Sequence, residues 1–419
     1  MNRRSILGLG AAAAVSAASA ATAHGGGPRP ERGWLHTWVS MPQLTEPGNL
    51  PPAPFTGDGV VLADTTLRQT VHTSIGGSSV RLRFSNAFGG AVLPITGVTV
   101  AWPLDGAAGV SAIRPGTARA VTFSGRAEAS VPVGAQVVSD PIDLAVPALT
   151  NLTVTAYLAT GQASVALTSH PGSRTTSYLL RGDHRSDEDL PGATRADHWY
   201  LLSGVEVYTA GTATVVLGDS LTDGRGSTTN GNDRWPDRLK ARLAGRRDVA
   251  VLNQAAGGNR VLQDGLGPNA LARLDRDVLA VGGADRLIVF EGVNDIGTAA
   301  ATPEAQRRVG EDLVVAYDQI VTRAHARGIE VYGATVTPFG GNTGYDDADG
   351  LREGTRRAVN DWIRRSRRFD AVLDFDAAVR DPIGRRRLLP AFDTGDHLHL
   401  NPAGYQAIAD AVPDRLFRG

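Results

Sequence analysis

The chain has 419 residues, and its 42 Lys and Arg nearly balance its 43 Asp and Glu, for a formal net charge of −1. Near-neutrality gives no electrostatic drive toward nucleic acid or an anionic membrane surface. There is no cysteine, which excludes disulfides, a thiolate nucleophile and thiolate metal sites.

The first residues carry Arg3-Arg4, then an Ala-rich apolar run, then Ala21-Thr22-Ala23. A basic start, a short apolar core and a small-x-small site describe a secretory signal over residues 1–23. The paired arginines fit the twin-arginine route, and the expected destination is extracellular. No segment reaches the ~18 consecutive apolar residues that a membrane span needs. Residues 24–33, HGGGPRPERG, read as a Gly/Pro linker.

From 34 to 208 the signals are short and of period two. Val80-Arg-Leu-Arg-Phe84 alternates apolar and basic residues, and Gln136–Leu144 and Leu152–Leu158 alternate in part. Gly76-Gly77, Gly89-Gly90, Pro132-Val-Gly134 and Gly161 supply turns. Short strands with this punctuation predict an antiparallel sandwich or jelly-roll-like domain. The polar member of each alternation is expected to face water. Trp34, Trp38 and Trp199 are read as core before sugar-stacking platforms.

After Gly211 the pattern changes. Strand-like runs at Thr214–Leu217, Val249–Leu252, Leu287–Phe290, Ile329–Tyr332 and Ala371–Phe375 alternate with helical stretches. The helical stretches are Arg234–Leu243, Pro268–Ala280, Pro303–Arg327, Leu351–Arg368 and Pro402–Leu416. Pro303 and Pro402 suit first helical turns, and Gly328 suits a helix stop. This alternation predicts a doubly wound α/β domain over 211–419 with a parallel sheet of about five strands.

Four polar clusters stand at its element ends. They are Gly218-Asp219-Ser220-Leu221, Asn253 through Asn259, Glu291-Gly-Val-Asn294-Asp295, and Gly395-Asp396-His397-Leu398-His399. The first three follow strands and emerge at one edge of a parallel sheet, where ligands bind. Acyl transfer needs such parts. A serine hydroxyl requires a base within reach, a histidine titrates near neutrality, and a carboxylate orients the ring. Ser220 is therefore the candidate nucleophile, with His399 as base and Asp396 as its partner. The backbone N–H groups of Ser220 and Gly258 and the side-chain amide of Asn294 are candidate oxyanion donors.

The blocks GDSL (218–221), the glycine of NQAAGGN (253–259), GVND (292–295) and DHLH (396–399), in this order, resemble the four signature blocks of the SGNH (GDSL) hydrolase superfamily. The resemblance covers about half the chain, 211–419. It implies a flavodoxin-like three-layer α/β/α fold and metal-free, cofactor-free ester hydrolysis. Carried over residue by residue, it places Ser220, Asp396 and His399 in a triad, with Ser220, Gly258 and Asn294 in the oxyanion hole. Gly258 is preferred to adjacent Gly257 because it stands five residues after Asn253, the spacing usual in that family.

Each residue also has a plainer reading. Gly258 would permit a tight turn, and Asn294-Asp295 would cap a helix. His397 with Asp393 is an alternative base pair. Asp219 and Asp295 are read as tying down loops. Asp346-Asp347-Ala-Asp349 reads as a solvated loop, not a calcium site, and Arg385-Arg-Arg387 as a solvated face. The expected activity is that of a secreted serine esterase acting on small acyl groups, acetyl on carbohydrate foremost. The rivals are a lipase or arylesterase, an acyltransferase with the same residues, and a carbohydrate-binding protein with an inactive hydrolase half.

Overall fold

The computed structural model describes residues 32–417. The expected signal segment, 1–23, and most of the expected linker lie outside the described residues. Arg32 and Gly33, read from sequence as linker, instead open the strand Arg32–Val39 and pair with Ala210 and Thr209.

A five-stranded sheet organises the C-terminal half. Its strands are β1 (Thr212–Gly218), β2 (Val249–Ala255), β3 (Ala284–Phe290), β4 (Glu330–Ala334) and β5 (Ala371–Leu373). The order is β2-β1-β3-β4-β5, and every pairing is parallel. This is the flavodoxin-like order, with the switch point where β1 lies between β2 and β3. Parallel strands are covered on both faces. Accordingly Val215, Val216 and Leu217 are all fully buried, which is why β1 reads as an unbroken apolar run. Helices α1 (Trp235–Arg242) and α4 (Pro402–Ala411) pack together, as do α2 (Pro303–His325) and α3 (Leu351–Arg365). The stripe Leu313, Tyr317, Ile320 and Ala324 of α2 is buried.

Local chemistry moves several boundaries. Asp374 caps a short helix, Phe375–Val379, so β5 stops at Leu373 and not at Phe375. Pro413 ends the last helix, and a separate turn over Asp414–Phe417 comes after it. The stretch expected as one helix from Pro268 starts at Ala270, capped by Asn269, and widens to a π-type turn over Asp275–Leu279.

Upstream, the strands are antiparallel. One sheet runs Arg32–Val39, Leu202–Ala210, Val80–Ser85, Gln136–Val138. A six-stranded sheet has Thr65–His72 and Asn151–Leu158 at its centre. Arg81 and Arg83 lean outward as expected, yet both pair with the buried Glu206 carboxylate. The expectation that polar alternates face water fails at Thr153 and Thr155, which are both buried. The reason is a lid of polar chain over that face. Fully buried Arg68 donates to Thr155 Oγ1 (2.9 Å), Ser111 O (2.6 Å) and Asp187 O (2.8 Å). Trp38 and Trp199 are buried edge to face, 4.8 Å between centroids. Trp34 packs on Tyr208 and under Arg81.

The antiparallel region and the parallel sheet share one core, and the described residues fall in one compact unit. The strand Arg32–Val39 lies against β2. Ser74 Oγ accepts the N–H of Val251 (2.8 Å), and His36 Nδ1 accepts that of Gly282 (3.2 Å). No helix among the described residues is long and apolar enough to cross a membrane.

The strand ends are held by one cation. Arg273, in the helix Ala270–Leu274, is fully buried. It donates to Gly218 O at the end of β1 (3.3 Å) and Gln254 O in β2 (2.5 Å). It also donates to Asn259 Oδ1 (2.9 Å) and to Glu291 Oε1 just after β3 (3.2 Å). Asp277 lies 3.5 Å from the same guanidinium. Removing one partner of a buried charge cluster costs about 3–5 kcal/mol. Arg273→Met should therefore lower unfolding free energy by roughly that amount in chemical denaturation. A loss below about 1 kcal/mol would show that the strand ends hold without it.

Candidate active site

Ser220 owes its position to three constraints. β1 ends at Gly218, where an added Cβ would stand 2.5 Å from Thr222 Cβ, so the close turn needs glycine. Asp219 caps the next turn, its carboxylate accepting the N–H of Leu221 (2.9 Å). Ser220 then opens the one-turn helix Ser220–Asp223, closed by Gly224 with φ +100°. As the first helical residue, Ser220 has no intrahelical acceptor for its own N–H.

The loop before α4 supplies the partners. Ser220 Oγ lies 2.9 Å from His399 Nε2, and His399 Nδ1 lies 2.6 Å from Asp396 Oδ2. Asp396 Oδ1 accepts the backbone N–H groups of Leu398 (3.0 Å) and His399 (2.8 Å). The alternative pair also forms, with His397 Nδ1 2.6 Å from Asp393 Oδ2. It does not reach Ser220. The left-handed backbone at His397 (φ +62°) turns that ring outward and half-exposed, while His399 stays buried.

The same loop sets the electrostatics. Burial holds the His399 imidazole below its ordinary value, Asp396 opposes that shift, and Arg225 and Arg174 add to it. Burial alone would raise Asp396, but hydrogen bonds from the backbone and ring of His399, with its charge, outweigh burial and lower the carboxyl to about 2.

Around Ser220 three donors face one crevice of about 470 Å³. Gly258 has φ +72°, and its N–H has no acceptor among the described residues. The N–H of neighbouring Gly257 is already committed to Asp223 Oδ2 (2.9 Å). Asn294 donates one Nδ2 hydrogen to Asn259 O (2.8 Å), and its Oδ1 accepts from Tyr345 Oη (2.6 Å). These two bonds orient the amide and leave its second hydrogen free. Asp295 accepts Val261 and Leu262 N–H groups, both at 2.9 Å, and so fixes the loop after β2.

Several residues in or behind the crevice carry no clear mark in the sequence. Asp223 sits one turn after Ser220 and holds both Gly257 and His170 Nε2 (2.8 Å). The spacing from Ser220 was a usable signal for Asp223. His170 comes from the antiparallel region, where nothing local marks it. Its Nδ1 lies 3.0 Å from Met41 O, and the ring stacks on Trp199. Gln43, Glu46, Asn49, Arg174 and His198 of that region line the same crevice as His399. No group of three or more His, Cys, Asp or Glu arranged to hold a metal ion occurs among the described residues.

Residues 216–407 match the GDSL-like Lipase/Acylhydrolase family. No curated protein matches the chain. Among solved structures, it is similar to a protein described as lipolytic and of the G-D-S-L family from Desulfitobacterium hafniense DCB-2 (20% identity, 48% of this chain, 97% of that one, TM-score 0.37). It is also similar to LAE5, an alpha/beta hydrolase from the metagenome of Lake Arreo, Spain (24% identity, 48% and 93%, TM-score 0.35). A third is the acetyl xylan esterase AlAXEase (20% identity, 48% and 96%, TM-score 0.36). With the family matched across every one of the four polar clusters, the C-terminal half of this chain is a GDSL-like lipase/acylhydrolase domain, and the protein is an ester hydrolase.

Proposed function

We propose that the protein is a serine esterase that removes small acyl groups, acetyl foremost, from a hydroxylated carbohydrate. The observation that carries this is the Ser220–His399–Asp396 chain of contacts at 2.9 and 2.6 Å beside free donors. Ser220 Oγ attacks the ester carbonyl as His399 Nε2 takes its proton, and Asp396 steadies the imidazolium. The N–H groups of Ser220 and Gly258 and the Asn294 amide receive the oxyanion. Collapse expels the alcohol, which takes the proton from His399. Water, deprotonated by the same ring, then releases the acid and restores Ser220. The polar lining from Gln43, Asn49, His198 and Asn294 suits a hydroxylated leaving group better than an acyl chain of lipid length. The basic, apolar and small-residue pattern of 1–23 supports export as the setting.

Hydrolysis of p-nitrophenyl acetate tests the nucleophile. Ser220→Ala should lower kcat by ~10³-fold or more, and equal activity in both proteins would remove Ser220 from the reaction. Asn294→Ala should cost ~10²-fold in kcat, with circular dichroism unchanged. Turnover like that of wild type would take Asn294 out of the oxyanion hole.

The base acts in its neutral form, and burial extends that form to lower pH. So kcat/KM should fall as pH drops through an apparent value below the ordinary histidine one, and stay level above it. A midpoint at or above the ordinary value would contradict the buried His399 as base.

A further inference from the structure

The crevice beside His399 holds two guanidinium groups, Arg174 and Arg225, that form no ion pair among the described residues. Arg174 and Arg225 both line it, and both stand near enough to His399 to disfavour its imidazolium form. Arg174 Nε is buried without a hydrogen-bond partner. Its backbone is left-handed, φ +51°, a conformation L residues seldom adopt. It is pinned there by its carbonyl, which accepts the Asn230 N–H (2.9 Å). Arg225 is fastened by its backbone, whose N–H donates to Ser220 O (3.0 Å) and whose carbonyl accepts from Tyr405 Oη (2.6 Å). Its side chain is exposed and unpaired among the described residues.

Each carboxylate in or beside the crevice is hydrogen-bonded within the protein, and none pairs with either arginine. Glu46 accepts from Gln43 (2.5 Å) and Asn49 (3.0 Å). Asp223 accepts from His170 and Gly257, Asp396 from His399 and Leu398, and Asp197 from Thr176. What remains open beside the nucleophile is donor capacity on two planar cations. A guanidinium fork matches a carboxylate in shape as well as charge, and no side-chain nitrogen of Arg174 or Arg225 donates a hydrogen bond among the described residues.

We propose that Arg174 and Arg225 bind a carboxylate on the alcohol portion of the ester, so that the preferred substrate class is an acylated acidic carbohydrate, of the uronate kind. This rests on the esterase reading above. The carboxylate would dock on these two arginines within the crevice and hold the scissile acyl group over Ser220.

A matched pair of small esters tests it: 3-acetoxybenzoate and its neutral isostere 3-acetoxybenzamide. The amide is the more reactive ester intrinsically, since the neutral carboxamide withdraws electrons more strongly. The wild-type kcat/KM should nevertheless favour the acid by ~10-fold or more. That ratio should shrink in about 0.5 M NaCl, where charge attraction is screened. Arg174→Gln and Arg225→Gln should each bring the ratio toward one. Should Arg174→Gln not fold, exposed Arg225→Gln and the salt series decide. Hydrolysis of both esters without preference for the acid overturns the proposal and leaves the esterase standing. A preference that survives both substitutions and high salt also overturns it. Hydrolysis of neither ester overturns the proposal, and the serine-esterase reading falls with it only if p-nitrophenyl acetate is refused as well.

Discussion

One buried cation sets the geometry on which the site depends. Arg273 reaches the ends of β1 and β2, Asn259 and the residue after β3. Three strand ends that carry separate polar clusters are thereby held in register. The surroundings show what the cation must balance. Burial, with Asp295 and Asp223 nearby, pushes Asp219 up to about 7, against the Leu221 N–H and Arg273. Burial and Asp219 likewise push Glu291 well above the usual carboxylate range, and Glu291 Oε2 has no partner among the described residues. An apolar residue in place of Arg273 would leave these carboxyls with no positive charge to offset their desolvation. The loops above them inherit whatever order this layer has.

The crevice is a joint product of the two halves of the chain. The α/β half brings Ser220, His399, Asp396, Gly258 and Asn294, and the antiparallel half brings the facing wall. The link between them is chemical as well as steric. His170 holds Asp223, and Asp223 occupies the Gly257 N–H, leaving the Gly258 N–H open to the crevice. An acceptor in the wrong half would tilt that loop without touching Ser220.

Legibility from sequence followed how local each physical cause is. β1 was readable because both its faces are buried, and its end was readable because Gly218 must avoid Thr222. The Asp396–His399 spacing was readable because three residues of loop bring carboxylate and ring together. The choice between His399 and His397 was not. It turns on one left-handed residue and on which ring the β1 end happens to face. Spacing favoured Gly258 over Gly257, while the bond that commits the Gly257 N–H to Asp223 is visible only in three dimensions. Thr153 and Thr155 looked solvent-facing because the chain that covers them, around His184 to Asp187, is distant in sequence. His170 and Arg174 were invisible for the same reason. His170 meets Met41 and Asp223, and Arg174 meets Asn230, all more than fifty residues away in sequence.

The pairing of Arg32–Val39 with Leu202–Ala210 has a consequence for how the molecule is made. The first strand of the antiparallel region waits for nearly its last, and only Gly211 then separates that last strand from β1. During synthesis the leading strand stays unpaired on this edge until about 170 further residues have emerged, a span read from the register itself. Contacts so distant form slowly, and an open strand edge invites pairing with other chains. Closure of that edge therefore comes before the parallel sheet, whose first strand must wait for Val249–Ala255 and Ala284–Phe290. A nascent chain stalled before Ala210 is left with an adhesive border, and one that passes it has the partner that covers the border.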